Sequence, residues 1–289
     1  MTQVWDRVAL PSGLYFVATP LGNARDITLR ALDILASADV LAAEDTRRLK
    51  QLMDMHRVPL NGRRIVAYHD HNGPKTRPGL LSALKEGKSV AYVSDAGSPL
   101  IADPGFVLGR EAIALGADVF ASPGPAAVIA ALTVSGLPSD RFTFAGFPPS
   151  AAVARTKFFE GFSGSHGTLI FYESPKRVSA SLQTASTVFG HEHPAVLARE
   201  LTKKFEEVRR GTLAELIESC GETAPRGEIV LLIAPARQSV SKEDIDVALI
   251  AAMKTTRLKD AARDVAERYG VSRRDLYQRG LELRDPPED

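Results

Sequence analysis

Short apolar runs that each end in a cluster of small or polar residues recur along the first 125 residues, and this recurrence limits the fold more than any other feature. The runs cover 14–18 (LYFVA), 40–43 (VLAA), 65–68 (IVAY), 90–93 (VAYV) and 118–121 (DVFA). Runs of this length bounded by turn residues read as buried strands. They close on TPLGN at 19–23, EDTR at 44–47, HDHN at 69–72, SDAGSP at 94–99 and SPGPAA at 122–127. Between them the spacing is helical. Asp26 or Thr28 can cap a helix carrying Leu29, Leu32 and Leu35, residues 80–84 lie on a second, and Asp103 with Pro104 can cap and start a third at Phe106. Alternating strands and helices predict a mostly parallel α/β sheet. In such sheets ligands sit beyond the carboxyl ends of the strands, and small residues there let the backbone approach a ligand closely.

The pattern restarts with strands at 142–145, 168–172, 195–198, 206–210 and 228–233, and helices at 151–162, 175–189 and 213–219. After Ser241 no strand candidate remains. Residues 245–253 and 258–269 are helical, Gly270 is a natural stop, and Ser272 caps a third helix through Leu283, with the rhythm of a helix-turn-helix. Residues 254–279 carry eight basic side chains against four acidic ones, a local excess suited to phosphates. The expected division is an α/β domain over 1–123, a second over 124–236 and a small all-α domain over 237–289.

The formal net charge of +1 means that a nucleic-acid partner must be met by a local patch. Cys220 is the only cysteine, which excludes a disulfide framework and fits a cytoplasmic location. The first 13 residues do not read as a signal peptide, and no apolar run approaches a membrane span. Neither the G-x-G-x-x-G nor the P-loop fingerprint is present, so the residues alone define an α/β enzyme with a cleft lined by small residues. His69 and His71 have no third ligand nearby, and no metal is expected.

Taken together, GLYFVATPLGNARDITLRAL, AAEDTR, SDAGSPLIADPG, SPGPAAVIAALTVSGL, FYESPKRV, ARELTKKFEEVRRG and GEIVLLI resemble the ribosomal RNA small subunit methyltransferase I family of the tetrapyrrole methylase superfamily. The resemblance runs from about Gly13 to Arg284. It implies two α/β domains of tetrapyrrole-methylase type, the class III S-adenosylmethionine methyltransferases, with a small helical C-terminal domain. It also implies a homodimer that binds S-adenosylmethionine between its α/β domains and methylates a cytidine 2′-hydroxyl in the decoding centre of 16S ribosomal RNA in the small subunit. By position, the donor would meet Pro20, Asp95, Ala96, Gly97, Leu100, Ile101, Ala126, Ala127, Glu173, Glu228 and Val230. Ala126 and Ala127 replace a Ser/Thr-Ala pair common in tetrapyrrole methylases, so one side-chain hydroxyl is missing. Glu173 stands where those enzymes usually carry methionine.

Methyl transfer from a sulfonium is an in-line displacement helped mainly by positioning. A ribose hydroxyl is a weak acid, so a base or a lowered pKa would help. The candidates are Glu44, Asp45, Glu173, Glu200 and Lys203. Arg47, Lys176, Arg177, Arg199, Lys254, Arg257, Arg273 and Arg274 are candidates for RNA phosphates. For each, a structural ion pair is the competing role. Two other functions share parts of the pattern: a small-molecule tetrapyrrole (precorrin-type) methyltransferase, and a DNA-binding regulator with an α/β sensor. The basic helical tail disfavours the first, and its small size and modest charge disfavour the second.

Overall fold

Apolar runs without polar alternation suit strands whose sheet is covered on both faces, and the first five runs form such strands. They are β1 (Gly13–Val17), β2 (Val40–Ala43), β3 (Ile65–Ala67), β4 (Ser89–Val93) and β5 (Val119–Ser122), all parallel in the order β3-β2-β4-β1-β5. The computed structural model describes residues 4–69, 71–101, 105–236, 242–269 and 271–284. Successive side chains point to opposite faces. Tyr15, Val17, Leu41, Ala43, Ala91 and Val93 pack on one face with Leu32 and Leu35 of α1 (Leu29–Ser37) and Leu49 and Met53 of α2 (Thr46–Met55). Leu14, Phe16, Ala42, Val90 and Tyr92 pack on the other with Leu80 and Leu84 of α3 (Gly73–Lys85) and Leu108 and Ala112 of α4 (Phe106–Ala114). Each fully buried Leu or Ile in these layers contributes roughly 1.5–3 kcal/mol. Of the two expected caps for α1, Thr28 serves, its Oγ1 accepting from the Ala31 N–H at 3.1 Å. The expected cap at Asp103–Pro104 and the stop at Gly270 lie outside the described residues.

The register matters for function. Ala67, Ala43, Val93, Val17 and Ser122 are neighbours across the sheet, so all five strands end level. The loops that follow therefore leave one edge together.

The second sheet comprises β6 (Phe142–Phe144), β7 (Thr168–Glu173), β8 (Pro194–Arg199), β9 (Glu207–Thr212) and β10 (Ile229–Ile233), in the order β6-β7-β10-β8-β9. Here the expectation of a mostly parallel sheet fails. Only β6 and β7 run parallel; β7, β8 and β9 lie antiparallel to their other neighbours. The connection between β8 and β9 spans only residues 200–206, too short for a crossover helix, which leaves a hairpin as the available geometry. One face is covered by α5 (Ala127–Ser135), through Val128, Ala131 and Leu132 on Ile170, Val196, Val230 and Leu232. The other carries α6 (Ala152–Glu160), α7 (Val178–Phe189) and α8 (Leu213–Glu222), with Phe159, Leu182 and Leu216 against Phe171, Leu197 and Leu231. Helix α7 starts at Val178 and not at Pro175, because the Arg177 and Val178 N–H groups first close a turn on the Ser174 carbonyl.

Both sheets belong to one compact unit, Met1–Ala236, and residues Arg237–Asp289 form another. The second unit contains α9 (Lys242–Met253), α10 (Leu258–Tyr269) and α11 (Arg273–Arg284) around Leu249, Ala261, Ala262, Val265 and Leu276. Ser272 caps α11 through the Asp275 N–H at 3.3 Å. Asp246 accepts from Arg279 across the bundle. No described helix is long and apolar enough to cross a membrane.

Candidate functional site

The loops at the level edge of the first sheet are tied to one another. Thr19 and Gly97 exchange two backbone bonds, Thr19 N–H to Gly97 O at 2.9 Å and Gly97 N–H to Thr19 O at 3.0 Å. Gly97 can do so because its φ of +79° suits a residue without a side chain. The Thr19 hydroxyl donates to Ser94 O, the Ser94 hydroxyl to Gly97 O, and the Ser98 hydroxyl to Pro125 O. A cavity lies on either side of this bridge.

The larger, of about 390 Å³, takes Leu21, Glu44, Ala96, Gly97, Ile101, Ala126 and Ala127 from the first sheet's loops and from the start of α5. From the second sheet it takes Phe147, Tyr172, Glu173, Leu201, Glu228 and Val230. Ala126 stands at the N-cap of α5 and gives it no side-chain bond. From the second sheet the Tyr172 phenol approaches the Val128 N–H near the start of α5. Burial pushes this phenol up to about 12, so it stays neutral near pH 7. Phe147 packs edge-on against Tyr172 and is itself half exposed at the cavity.

Glu173 reaches this wall but is not available as a base. Its side chain is wholly buried. One carboxylate oxygen accepts from the Ser174 N–H and the Arg177 Nε–H, the other from the Ser181 hydroxyl. Arg177, expected at a phosphate, also donates to the Pro148 carbonyl, which makes it an internal brace, while its side chain stays a third exposed. Arg199 is likewise committed, donating to Glu207 and to the Arg226 carbonyl. Lys176 is exposed.

Glu200 and Lys203 sit together at the end of β8. The Lys203 ammonium lies 2.9 Å from Glu200 and 3.0 Å from Glu228. Glu200 and Glu228 also exchange bonds, Glu200 N–H to Glu228 O and Glu228 N–H to a Glu200 carboxylate oxygen, both at 2.9 Å. The Glu228 N–H first, and then Lys203, hold the Glu200 carboxyl below its ordinary range. Burial works against the Lys203 charge, but the bonds to both carboxylates outweigh it and raise its pKa. The loop is wound tightly: Glu200 and Thr202 have φ of 50° and 65°. Its neighbour Gly227, at φ 83°, has no room for a Cβ beside the Glu200 carboxylate. The loop also touches the first sheet's side, where the Thr202 hydroxyl accepts from the Asn23 N–H at 3.3 Å and the Lys203 stem covers Gly22.

The smaller cavity, of about 230 Å³, is where the structure puts Pro20 and Asp95, which were expected beside the donor; neither lines the larger one. The reason is the bridge. Its strands send Ser94, Asp95, Thr19 and Pro20 to one side and Leu21, Ala96 and Gly97 to the other. Asp95 accepts from the Asp45 N–H at 2.8 Å and faces Arg48 at 3.4 Å. Leu100 is exposed, at φ 71°, and lines neither cavity. The Asp45 carboxylate caps α2 and is gripped by Arg47, which holds its carboxyl far below the usual range and makes it a poor base. Arg47 remains exposed. The His69 and His71 rings pack edge to face, and among the described residues no cluster of three metal-ligating side chains occurs. In the helical unit Lys254, Arg257, Arg273 and Arg274 are exposed. Sequence reasoning missed Leu21, Phe147, Tyr172, Leu201 and Arg48.

Comparison with known proteins agrees with this geometry. Residues 13–217 match the family described as tetrapyrrole (corrin/porphyrin) methylases, and residues 239–284 match the RsmI C-terminal HTH domain. A Mesorhizobium japonicum protein called ribosomal RNA small subunit methyltransferase I is 46% identical, over 96% of this chain and 94% of its own. A Vibrio cholerae protein of the same name is 44% identical, over 96% and 98%. A crystal structure of diphthine synthase shares the fold, with a TM-score of 0.59 at 16% identity over 76% of this chain and 89% of its own. The chain thus belongs to the tetrapyrrole methylase family and, within it, to the group named ribosomal RNA small subunit methyltransferase I.

Proposed function

We propose that this protein transfers a methyl group from S-adenosylmethionine to a cytidine 2′-hydroxyl in the decoding centre of 16S ribosomal RNA, as a cytoplasmic homodimer acting on the small ribosomal subunit. The larger cavity carries the reading. Its apolar walls suit an adenosine. At Ala96 and Gly97 no large side chain keeps a ligand from the backbone, and a Cβ at Gly97 would already crowd Leu21. The start of α5 adds helix N–H groups of positive polarity.

Bound there, the donor would supply an activated methyl group. The chain's own work is positioning and the handling of one proton. Leu21, Ile101 and Phe147 exclude water from the reacting end. Lys203, kept protonated between two carboxylates, favours a nearby alkoxide over a hydroxyl. Glu44, a carboxylate on the cavity wall, takes the proton-accepting role. Glu200 positions Lys203. Arg47, Lys176 and the tail's Lys254, Arg257, Arg273 and Arg274 meet phosphates, which supply much of the affinity for RNA.

The test is methyl transfer by the purified protein to small subunits from cells lacking it, with riboses mapped by mass spectrometry. A single 2′-O-methylated cytidine is expected, and single-turnover rates should fall in Lys203→Ala and Glu200→Ala more than donor or RNA affinity does. A base-methylated product, or no transfer, would reject the assignment.

A further inference from the structure

The smaller cavity shares both of its loops with the larger one, and no step above uses it. Two cavities lined by neighbouring residues of the same two loops suit a reaction with two substrates, one in each. The chemistry of the smaller is unlike that of its neighbour. It has an apolar floor of Leu49, Leu52 and Val93 and a polar wall of Asp95, Arg48 and Gln51. Asp95 uses one oxygen on the Asp45 N–H, and its other meets Arg48 at only 3.4 Å, so acceptor capacity remains. Arg48 keeps further N–H donors, its side chain 61% exposed, and Gln51 is exposed on the same helix. A carboxylate in the wall argues against a phosphate. A carboxylate beside a guanidinium and an amide matches the edge of a nucleobase that offers an amine next to a ring acceptor.

We infer that this cavity receives the base of the acceptor nucleotide, extruded from its strand, with its exocyclic amine on Asp95 and its ring acceptors toward Arg48 and Gln51. The inference rests on the RNA-methylating reading above and adds what that reading lacks, a site that selects the nucleotide. Enzymes that do chemistry on a base take it out of the stack and read its pairing edge by hydrogen bonds in a pocket, and an enzyme that modifies the ribose of one chosen nucleotide can select it by the same contacts. Among pyrimidines the pattern favours cytosine, because a carboxylate accepts from its N4 amine and meets only a carbonyl on uracil. With the base on the Asp95 side of the Thr19–Gly97 bridge, the ribose is left at the rim, where Leu21 and Pro20 part toward the two cavities.

The full chain, loaded with S-adenosylhomocysteine, is titrated with cytidine, uridine and ribose 5-phosphates under saturation-transfer NMR. Gln51→Trp, which fills the cavity from an exposed helix position, and Arg48→Ala are titrated alongside. Cytidine monophosphate should bind about tenfold more tightly than the other two, and both variants should lose that preference. In turnover both variants should raise KM for the RNA about tenfold or more and leave donor affinity unchanged. Equal binding of cytidine and ribose 5-phosphates would overturn the inference. So would an unaltered RNA KM in Gln51→Trp, or a loss confined to donor affinity, which would give the cavity to the donor. Base binding without any transfer to RNA would leave the pocket standing and remove the function proposed for the enzyme.

Discussion

Replacing Gly97 tests whether the larger cavity is the donor site. Two costs can be separated there. At φ +79° any L-residue is strained, by about 1–2 kcal/mol for Ala and up to about 3 kcal/mol for a β-branched residue. The second cost is space. A Cβ at this position already lies 3.1 Å from Leu21 Cδ2 and 3.6 Å from Pro125 O, so the two further carbons of Val crowd the cavity wall. Overpacking of this kind costs about 1–3 kcal/mol, or roughly a five- to 150-fold change in Kd if it falls on the bound state. Gly97→Ala should lose stability with a modest loss of donor affinity, whereas Gly97→Val should lose both. Urea unfolding measures the first, and calorimetry of S-adenosylmethionine binding to the folded variants measures the second. A folded Gly97→Val protein that binds the donor with wild-type affinity would refute the placement.

The remaining predictions address the surrounding supports. Glu173→Ala leaves the buried Ser181 hydroxyl and the Ser174 N–H without their acceptor and should cost about 1–3 kcal/mol in urea unfolding; wild-type stability with lost turnover would restore Glu173 as a base. Tyr172→Phe removes the cavity-wall phenol that approaches the Val128 N–H and should weaken donor binding by calorimetry while the fold holds in urea unfolding. Glu200 is held below the ordinary carboxylate value, so its contribution is complete above about pH 4.3 and is lost as pH falls through the lowered value; hydrogen exchange in residues 200–206 should rise over that acidic window and stay flat above it. Truncation after Val240 removes a helical unit with its own core and should weaken RNA binding while donor affinity holds, which filter binding and calorimetry can check.

The parallel sheet was legible because its strands are covered on both faces and carry uninterrupted apolar runs, and because each ends in small residues that a helix could not use. The second sheet's strands read equally well, but their direction did not. Orientation depends on connection length, and the seven residues 200–206 between β8 and β9 are too few to return the chain in parallel. Ala96, Gly97, Ala126 and Glu228, expected together from motif position, line one cavity, whereas Asp95 lines the other, because a motif gives adjacency along the chain and says nothing of which side of a bridge a side chain takes. Arg177, Arg199 and Asp45 show a second blind spot. A charge in a motif reads alike whether it meets a ligand or braces a turn, and only its partners, Glu173, Glu207 and Arg47, decide.

The mixed sheet explains why so many of these groups converge. In a parallel sheet only carboxyl ends gather on one edge. In the second sheet Ile229, the first residue of β10, is opposite Glu173 at the end of β7 and opposite Arg199 at the end of β8. Two strand ends and one strand beginning therefore share an edge, and Ser174, Leu201 and Glu228 leave it side by side. Antiparallel pairing also lets one loop serve both chain directions, as Glu200 does when it braces the backbone entering β10. The first sheet's side needs no such device, since register alone levels its loops. A parallel second sheet would have sent residues 227–230 to the far edge and left Lys203 with Glu200 as its only carboxylate. A lysine held by one carboxylate is freer to move and binds its proton less firmly, which is the property the proposed alkoxide needs least. The reversal of β10 is thus part of the site and not only of the fold.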